Sequence, residues 1–426
     1  MRFLLLVLPI LLVSGDFKEM ISKIDSNTLL KSQQEKTKSL ESLEKAAKAK
    51  DSLRVDLLVD AIRLKDEPTV TFSLIPNTPA STFPMGTKSN LSAELRFSYP
   101  LFTGYLIGAN IEKSKLEVIK SKLQSKNLKR KLYSQAIELY GKLYSINGAI
   151  KANKDALNAV EKSYKKAKAM YKNGLLNMAE VYNIEAKKFN LLSKEKELSY
   201  SKKRVKNLIY YLCNYKIDDN IRLTLPKTKD QNSTIKEALK QREDIKAIKN
   251  SLKINDQDIK AVKSKYYPKI ALIGGIKKVG DNLKFNGDGH RNADESYVGI
   301  SFRWNLFDGS EKSYQKEAFL KKKIATTLYL LDYEKLIATN IKNNFLELNS
   351  LKYRQKALLS ELKSKQEYFK LVKGKFENAL SSADELSRAI ANLSQTKAKL
   401  KEIEAKIFII KQKILLQISI EDFENE

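Results

Sequence analysis

A single cysteine, a single histidine, 8 prolines and 15 glycines are spread over 426 residues. Cys213 has no second cysteine to bridge to and none lies near the N-terminus to take a lipid, so a packing role inside a helix is what remains. His290, in Asn286-Gly287-Asp288-Gly289-His290, has no cysteine or second histidine nearby; it reads as an exposed loop residue, and no metal is expected. Asp281, Asp288, Asp294 and Glu295 could loosely attract calcium, but the spacing of a calcium-binding loop is missing. No Ser-His-Asp set, glycine-rich phosphate loop or metal cluster appears, which argues against an enzyme and against a bound cofactor. Downstream of the N-terminus no run of ~18 apolar residues occurs, so no helix is expected to cross a membrane; entry into a bilayer would have to be as a barrel. The scarcity of glycine and proline leaves few turns and predicts long uninterrupted elements.

What is present begins with a secretory pattern. Arg2 supplies a positive start, Phe3 to Val13 an apolar core, and Val13-Ser14-Gly15 a small-residue cleavage site, so 1–15 reads as a signal peptide and the mature chain as starting near Asp16. The net charge of +29 comes mostly from lysines scattered at helix-surface spacing. Nucleic-acid binders cluster such charge on one face, so no nucleic-acid partner is expected.

The chain is an internal duplication. Tyr99-Pro100-Leu101-Phe102-Thr103-Gly104 returns 205 residues later as Trp304-Asn305-Leu306-Phe307-Asp308-Gly309. The same offset carries Tyr171-Lys172-Asn173-Gly174 onto Phe376-Glu377-Asn378-Ala379, and Glu180-Val181 onto Glu385-Leu386. The first repeat covers 16–213, with a helix over about 24–65, a β-hairpin within 69–99 and a helical hairpin over 104–213. A connector follows at 214–232. The second repeat covers 233–418, with a helix, a β-hairpin at 269–304 and a helical hairpin at 309–418; a tail closes the chain at 419–426.

Alternation defines the strands. Leu91, Ala93, Leu95, Phe97 and Tyr99 point one way while Ser92, Glu94, Arg96 and Ser98 point the other. In the second copy Val298, Ile300, Phe302 and Trp304 match the apolar set and Arg303 falls on the opposite face. Tyr99 and Trp304 end their strands where an interfacial aromatic girdle would place them. Each half supplies two strands, 69–76 with 91–99 and 269–278 with 296–304. Four strands cannot close a barrel, whose smallest form has about eight, so an oligomer that pools strands is required.

Heptads define the helices. Between Gly104 and Asn173, Leu132, Ala136, Leu139, Leu143, Ile146, Ile150, Asn153, Leu157, Val160, Tyr164, Ala167 and Tyr171 keep a four-three spacing, a coiled-coil seam that puts Tyr171 in the core. Tyr133, Ile137, Tyr140 and Tyr144 widen the stripe, so more than one neighbouring helix is implied. The returning helix to Cys213 repeats Ile184, Leu191, Leu198, Val205 and Leu212; being shorter, it leaves the upper part of the long helix to be covered by the helix at 24–65.

These residues resemble the TolC-like outer-membrane efflux proteins. The resemblance rests on the two junction copies, Tyr267-Pro268 before a strand, Arg242-Glu243-Asp244-Ile245 where the family often has Arg-Pro-Asp-Ile, and Tyr171-Lys172-Asn173-Gly174 followed by Glu180. It implies a mainly α chain with a small membrane β portion: a homotrimer with a 12-stranded barrel in outer-membrane lipid and a 12-helix tunnel in the periplasm. It further implies passive exit of cargo from an efflux or type I secretion system, with a periplasmic adaptor opening the tip and an inner-membrane pump driving the cargo.

The family carries two acidic residues, three apart, just after the second tip turn. Here those positions are Glu385 and Arg388, with Glu180 and Asn183 in the first copy; Asp384 substitutes if the register differs by one. Arg388 departs from the family pattern. Glu385 and Asp384 read equally as first-turn charges that favour the helix dipole and as members of a pore ring. The family's tip tyrosine is Phe376 here, without a hydroxyl, so a latch there is absent, weakened or moved to Tyr171. Asn173, Gly174, Asn378 and Ala379 form the tip turns that would meet the adaptor. Tyr99, Pro100, Gly104, Trp304 and Gly309 form the strand-helix junctions, and Leu95, Phe97, Ile300 and Phe302 would face lipid. The competing reading is a soluble periplasmic coiled-coil scaffold or adaptor, which would bury Phe97, Tyr99, Phe302 and Trp304 in its own core.

Overall fold

The structure, a computed structural model, describes residues 17–282 and 295–425. The expected signal peptide at 1–15, and Asp288, His290 and Asp294, lie outside them. The chain divides into two compact units that cut across the sequence repeats. One takes residues up to Lys36, Ser121–Ile248 and Tyr329 onward; the other takes Thr37–Lys120 and Lys249–Leu328.

The second unit holds the strands. After α1 (Phe17–Ser22), α2 runs only from Thr28 to Ala49, and β1 follows at Arg54–Arg63. A helix over 24–65 is thus overturned in its length, although α2 keeps part of the cover assigned to it: Leu30 shares a buried cluster with Leu132 and Tyr133, and Gln33 donates to the Ser121 hydroxyl at 3.3 Å. Leu53, Leu57, Leu58 and Ala61 satisfy a helical spacing, but Val55, Leu57, Val59 and Ala61 also alternate with Arg54, Asp56 and Asp60, and in so short a run the two periods compete. Pairing decides: β1 lies antiparallel to β4 (Ser89–Phe102), Leu57 opposite Leu95 and Val55 opposite Phe97. The strand expected at 69–76 is a four-residue β2 (Thr69–Phe72), paired with β3 (Ser81–Pro84), which lies between the two strands expected in this half, in a separate two-stranded sheet.

β5 (Lys269–Gly280) and β6 (Glu295–Arg303) complete a four-stranded antiparallel sheet in the order β1-β4-β5-β6. The four-stranded sheet draws two strands from each half, but β1 takes the place given to 69–76, and β2 and β3 are additional. The register stacks Leu57, Leu95 and Ile276 on one rung and Tyr99, Leu272 and Ile300 on another, so one apolar face runs across all four strands.

The long helices are α3 (Leu106–Lys172) and α4 (Met178–Cys213), and α7 (Glu311–Glu377) and α8 (Ala383–Leu416). In place of the one helix expected to open the second repeat, α5 (Gln231–Gln241) and α6 (Glu243–Lys263) meet at Arg242, whose extended backbone breaks the helix. The expected tail contains α9 (Ile420–Asn425), which packs Phe423 against Tyr133 at 5.2 Å between ring centres. In the first unit Leu132, Ala136, Leu143, Ile209, Leu212 and Phe408 share one core with α1, where Phe17 meets Tyr140 and Phe408 edge-on. Cys213 is fully buried there, and burial pushes its thiol up to about 12.

Candidate functional site

Three places carry the functional candidates: the sheet face, the junctions from strand to helix, and the two tip turns. On the sheet, Leu57 is 70% exposed, Val298 79%, Ile300 69% and Phe302 62%. Apolar area on this scale is normally removed from water. The face that carries Arg96 is organised differently. Arg96 donates to both oxygens of Glu94 at 3.0 and 2.9 Å, and the Tyr297 hydroxyl donates to Glu94 at 2.8 Å. Leu95, Ile300 and Phe302 thus lie on the uncovered apolar face; Phe97 shares it, half buried among its neighbours.

Both junctions turn through left-handed backbone. Gly104 and Tyr105 have φ of 63° and 69°, and Gly309 and Ser310 have φ of 67° and 71°. A β-carbon on Gly104 would stand 2.5 Å from the Ser264 carbonyl oxygen, so glycine there answers both to conformation and to contact. Tyr105 packs edge-on with Phe102 and Tyr267, and the Trp304 indole donates to the Tyr266 carbonyl at 3.1 Å. Of the aromatic positions read from the repeat, Phe102 and Trp304 thus brace the turns, whereas Phe307 is 85% exposed.

At the tips the repeat offset is kept in three dimensions. Gly174 and Ala379 are both left-handed, at φ 71° and 60°. Each helix ends in the same way: Leu175 N–H donates to Met170 O at 2.9 Å and Gly174 N–H to Tyr171 O at 3.0 Å, matched by Leu380 to Lys375 at 2.8 Å and Ala379 to Phe376 at 3.1 Å. This is the paired closure that favours glycine after a helix. The next helices are capped alike, Asn177 accepting from Glu180 N–H at 3.0 Å and Ser382 from Glu385 N–H at 3.1 Å.

Glu180 and Glu385 thus sit in first turns, and each has a further partner. Glu180 accepts from the Ala383 N–H at 2.8 Å, joining the two tip turns, while Glu385 accepts from the Tyr368 hydroxyl at 3.1 Å. That hydrogen bond raises the Tyr368 phenol above its ordinary range. Asp384 is paired with Arg388 at 3.0 Å. Phe376 and Val372 lie in a buried cluster with Val181, Ile184, Ala383 and Leu386, so Phe376 is a core residue. Tyr171, read as core from its spacing, is 45% exposed instead, because the helix reaches its last turn there and its seam has no further partner. Asn173 and Asn183 are exposed; the fold does not bring Asn183 to the Glu180 contact.

Tyr368 was not foreseen. Its spacing puts it outside the seam, and its partner Glu385 lies 17 residues on, across the tip turn, where no local pattern links the two. Arg242-Glu243-Asp244 also proves to be more than a family signature. Arg242 grips Asp244 at 2.6 and 3.0 Å, Tyr333 donates to Asp244 at 2.9 Å, and Arg130 bonds Glu243 and the Leu416 carbonyl, all out of water except Tyr333, which is half buried. Burial opposes the charge on Asp244, but Arg242, Tyr333 and Arg130 outweigh it and hold the carboxyl below its usual range. Burial and that carboxylate push Tyr333 up to about 12.

Comparison with known proteins follows the same lines. Residues 234–413 match the family described as outer membrane efflux protein. The structure is similar to a CusC structure whose description concerns folding and transmembrane channel formation (TM-score 0.78, 14% identity, 96% of this chain and 92% of the other). It is similar as well to the outer membrane protein VceC of Vibrio cholerae (0.75, 14%, 96% of each chain). The CmeC outer membrane channel of Campylobacter jejuni gives 0.75 and 13%, over 96% of this chain and 85% of that one. No curated protein matches the sequence.

Proposed function

We propose, from a chain whose residues 234–413 match the outer membrane efflux protein family and whose fold is similar to that of outer-membrane channels, that it is a passive exit duct of the outer membrane. Three copies pool four strands each into a 12-stranded barrel, and their helical hairpins continue it as a periplasmic tunnel. The uncovered apolar face of the sheet carries this reading. A soluble scaffold has to bury Phe302 and Ile300 in its own core, whereas lipid covers them without any further element. The free edges of β1 and β6 point the same way, because a barrel leaves no edge unpaired.

In this reading the tip turns at Asn173-Gly174 and Asn378-Ala379 meet a periplasmic adaptor, and an inner-membrane pump delivers the cargo. Opening has to separate the Glu180 carboxylate from the Ala383 N–H, since that bond joins the two turns. Asp384, Glu385 and Glu180 face the aperture, with Arg388 offsetting Asp384. Detergent-extracted protein added to planar lipid bilayers tests the duct: discrete conductance steps are expected, and protein that stays in the aqueous fraction and leaves the bilayer silent would refute it.

A further inference from the structure

At the helix-side end of the sheet, Lys269 on β5 stands directly opposite Arg303 on β6. Register puts both on the face of Arg96 and Tyr297, away from the apolar one. Like charges in directly opposed positions destabilise a strand pair, so this pairing needs a compensating partner. Among the described residues neither side chain has a carboxylate partner, and both are exposed. Two acids that follow Arg303 in the chain are engaged elsewhere: Asp308 with Lys312 at 3.8 Å and Glu311 with Lys265 at 3.4 Å. Higher on the same face the charges are matched, with Glu94 held by Arg96 and Tyr297 and Lys277 opposite Glu295. The opposed Lys269 and Arg303 thus stand apart from the matched charges of the same face.

We infer that Lys269 and Arg303 form a basic collar that binds oxyanionic groups, phosphate, sulfate or carboxylate, and gives the duct a preference for anionic cargo. The inference rests on the barrel reading, in which this face lines the lumen and three copies bring six cations around one aperture. A ring of like charge in a pore concentrates ions of the opposite sign, and the planar guanidinium of Arg303 fits a two-oxygen acceptor. At the tip Arg388 pairs with Asp384 while Glu180 and Glu385 keep their carboxylate charge, so the anion preference belongs to the collar and is read from the barrel side.

The test uses the full chain in planar bilayers, with inositol hexakisphosphate added on the barrel side as blocker. Wild type should be blocked, and Lys269→Gln with Arg303→Gln should raise the half-blocking concentration by about tenfold, an effect that added salt erases. Removing a like-charge pair favours folding, and Arg303→Lys, which keeps the charge, should retain the block. An unblocked wild type, or equal block of wild type and the double variant, overturns the collar while leaving the duct intact. A wild type that forms no conductance overturns the duct and the collar with it.

Discussion

Residues in left-handed backbone give the sharpest local test. Gly104→Ala forces a β-carbon against the Ser264 carbonyl as well as straining φ, whereas Gly174→Ala meets nothing within 4 Å and pays only the conformational term. Gly174→Ala should destabilise by about 1 kcal/mol and Gly104→Ala by clearly more. Ala379→Gly should be close to neutral, since relief of strain is offset by a more flexible unfolded chain. Thermal unfolding in detergent ranks the three, and equal losses at the two glycines would refute the contact argument.

Asp244 makes a second residue-scale prediction. Its folded carboxyl is held below the ordinary value, so its contribution is present above the unfolded pKa and is lost as pH falls through the folded one. Asp244→Ala should cost about 3–5 kcal/mol by leaving Arg242 buried without its partner. The same variant should flatten the acid limb of the stability-pH curve below pH ~4. An unchanged acid limb would show that Asp244 is not the group responsible.

At the scale of elements, much was legible and the failures have identifiable causes. The 205-residue offset recovers both junctions and both tip turns, because turns depend on single residues such as Gly174 whose chemistry is local; the structure adds the caps Asn177 and Ser382 at the same offset. The second strand of the first half was misplaced because β1 is fixed by its partner across the sheet, which no local period reports. The break at Arg242 was missed for a similar reason: Arg242 leaves helical geometry at a position where it reaches Asp244 and Gln417, a choice made by tertiary partners. Tyr171 was placed in the core by a seam that ends one turn earlier.

The sheet also offers its own experiment. Ile300→Lys on the apolar face should cost about 2–4 kcal/mol if that face meets hydrocarbon near the bilayer middle, whereas Ser301→Lys, one residue on and facing the other way, should be tolerated. Comparing folded yield in the membrane fraction separates them. Equal tolerance of the two would deny lipid contact to Ile300.

For the whole molecule, the sheet is incomplete by itself. Its two edge strands are β1 and β6, and its apolar face has no cover from the described residues. In the proposed duct one operation would meet both needs: joining β6 of one copy to β1 of the next, around a closed ring, inside lipid. Twelve strands from three copies form a barrel well above the minimum of about eight. Native mass measurement after detergent extraction from membranes tests this most directly. The predicted result is a species of three times the single-chain mass that persists until the detergent or the fold is lost; a soluble single-chain species recovered without detergent would contradict it.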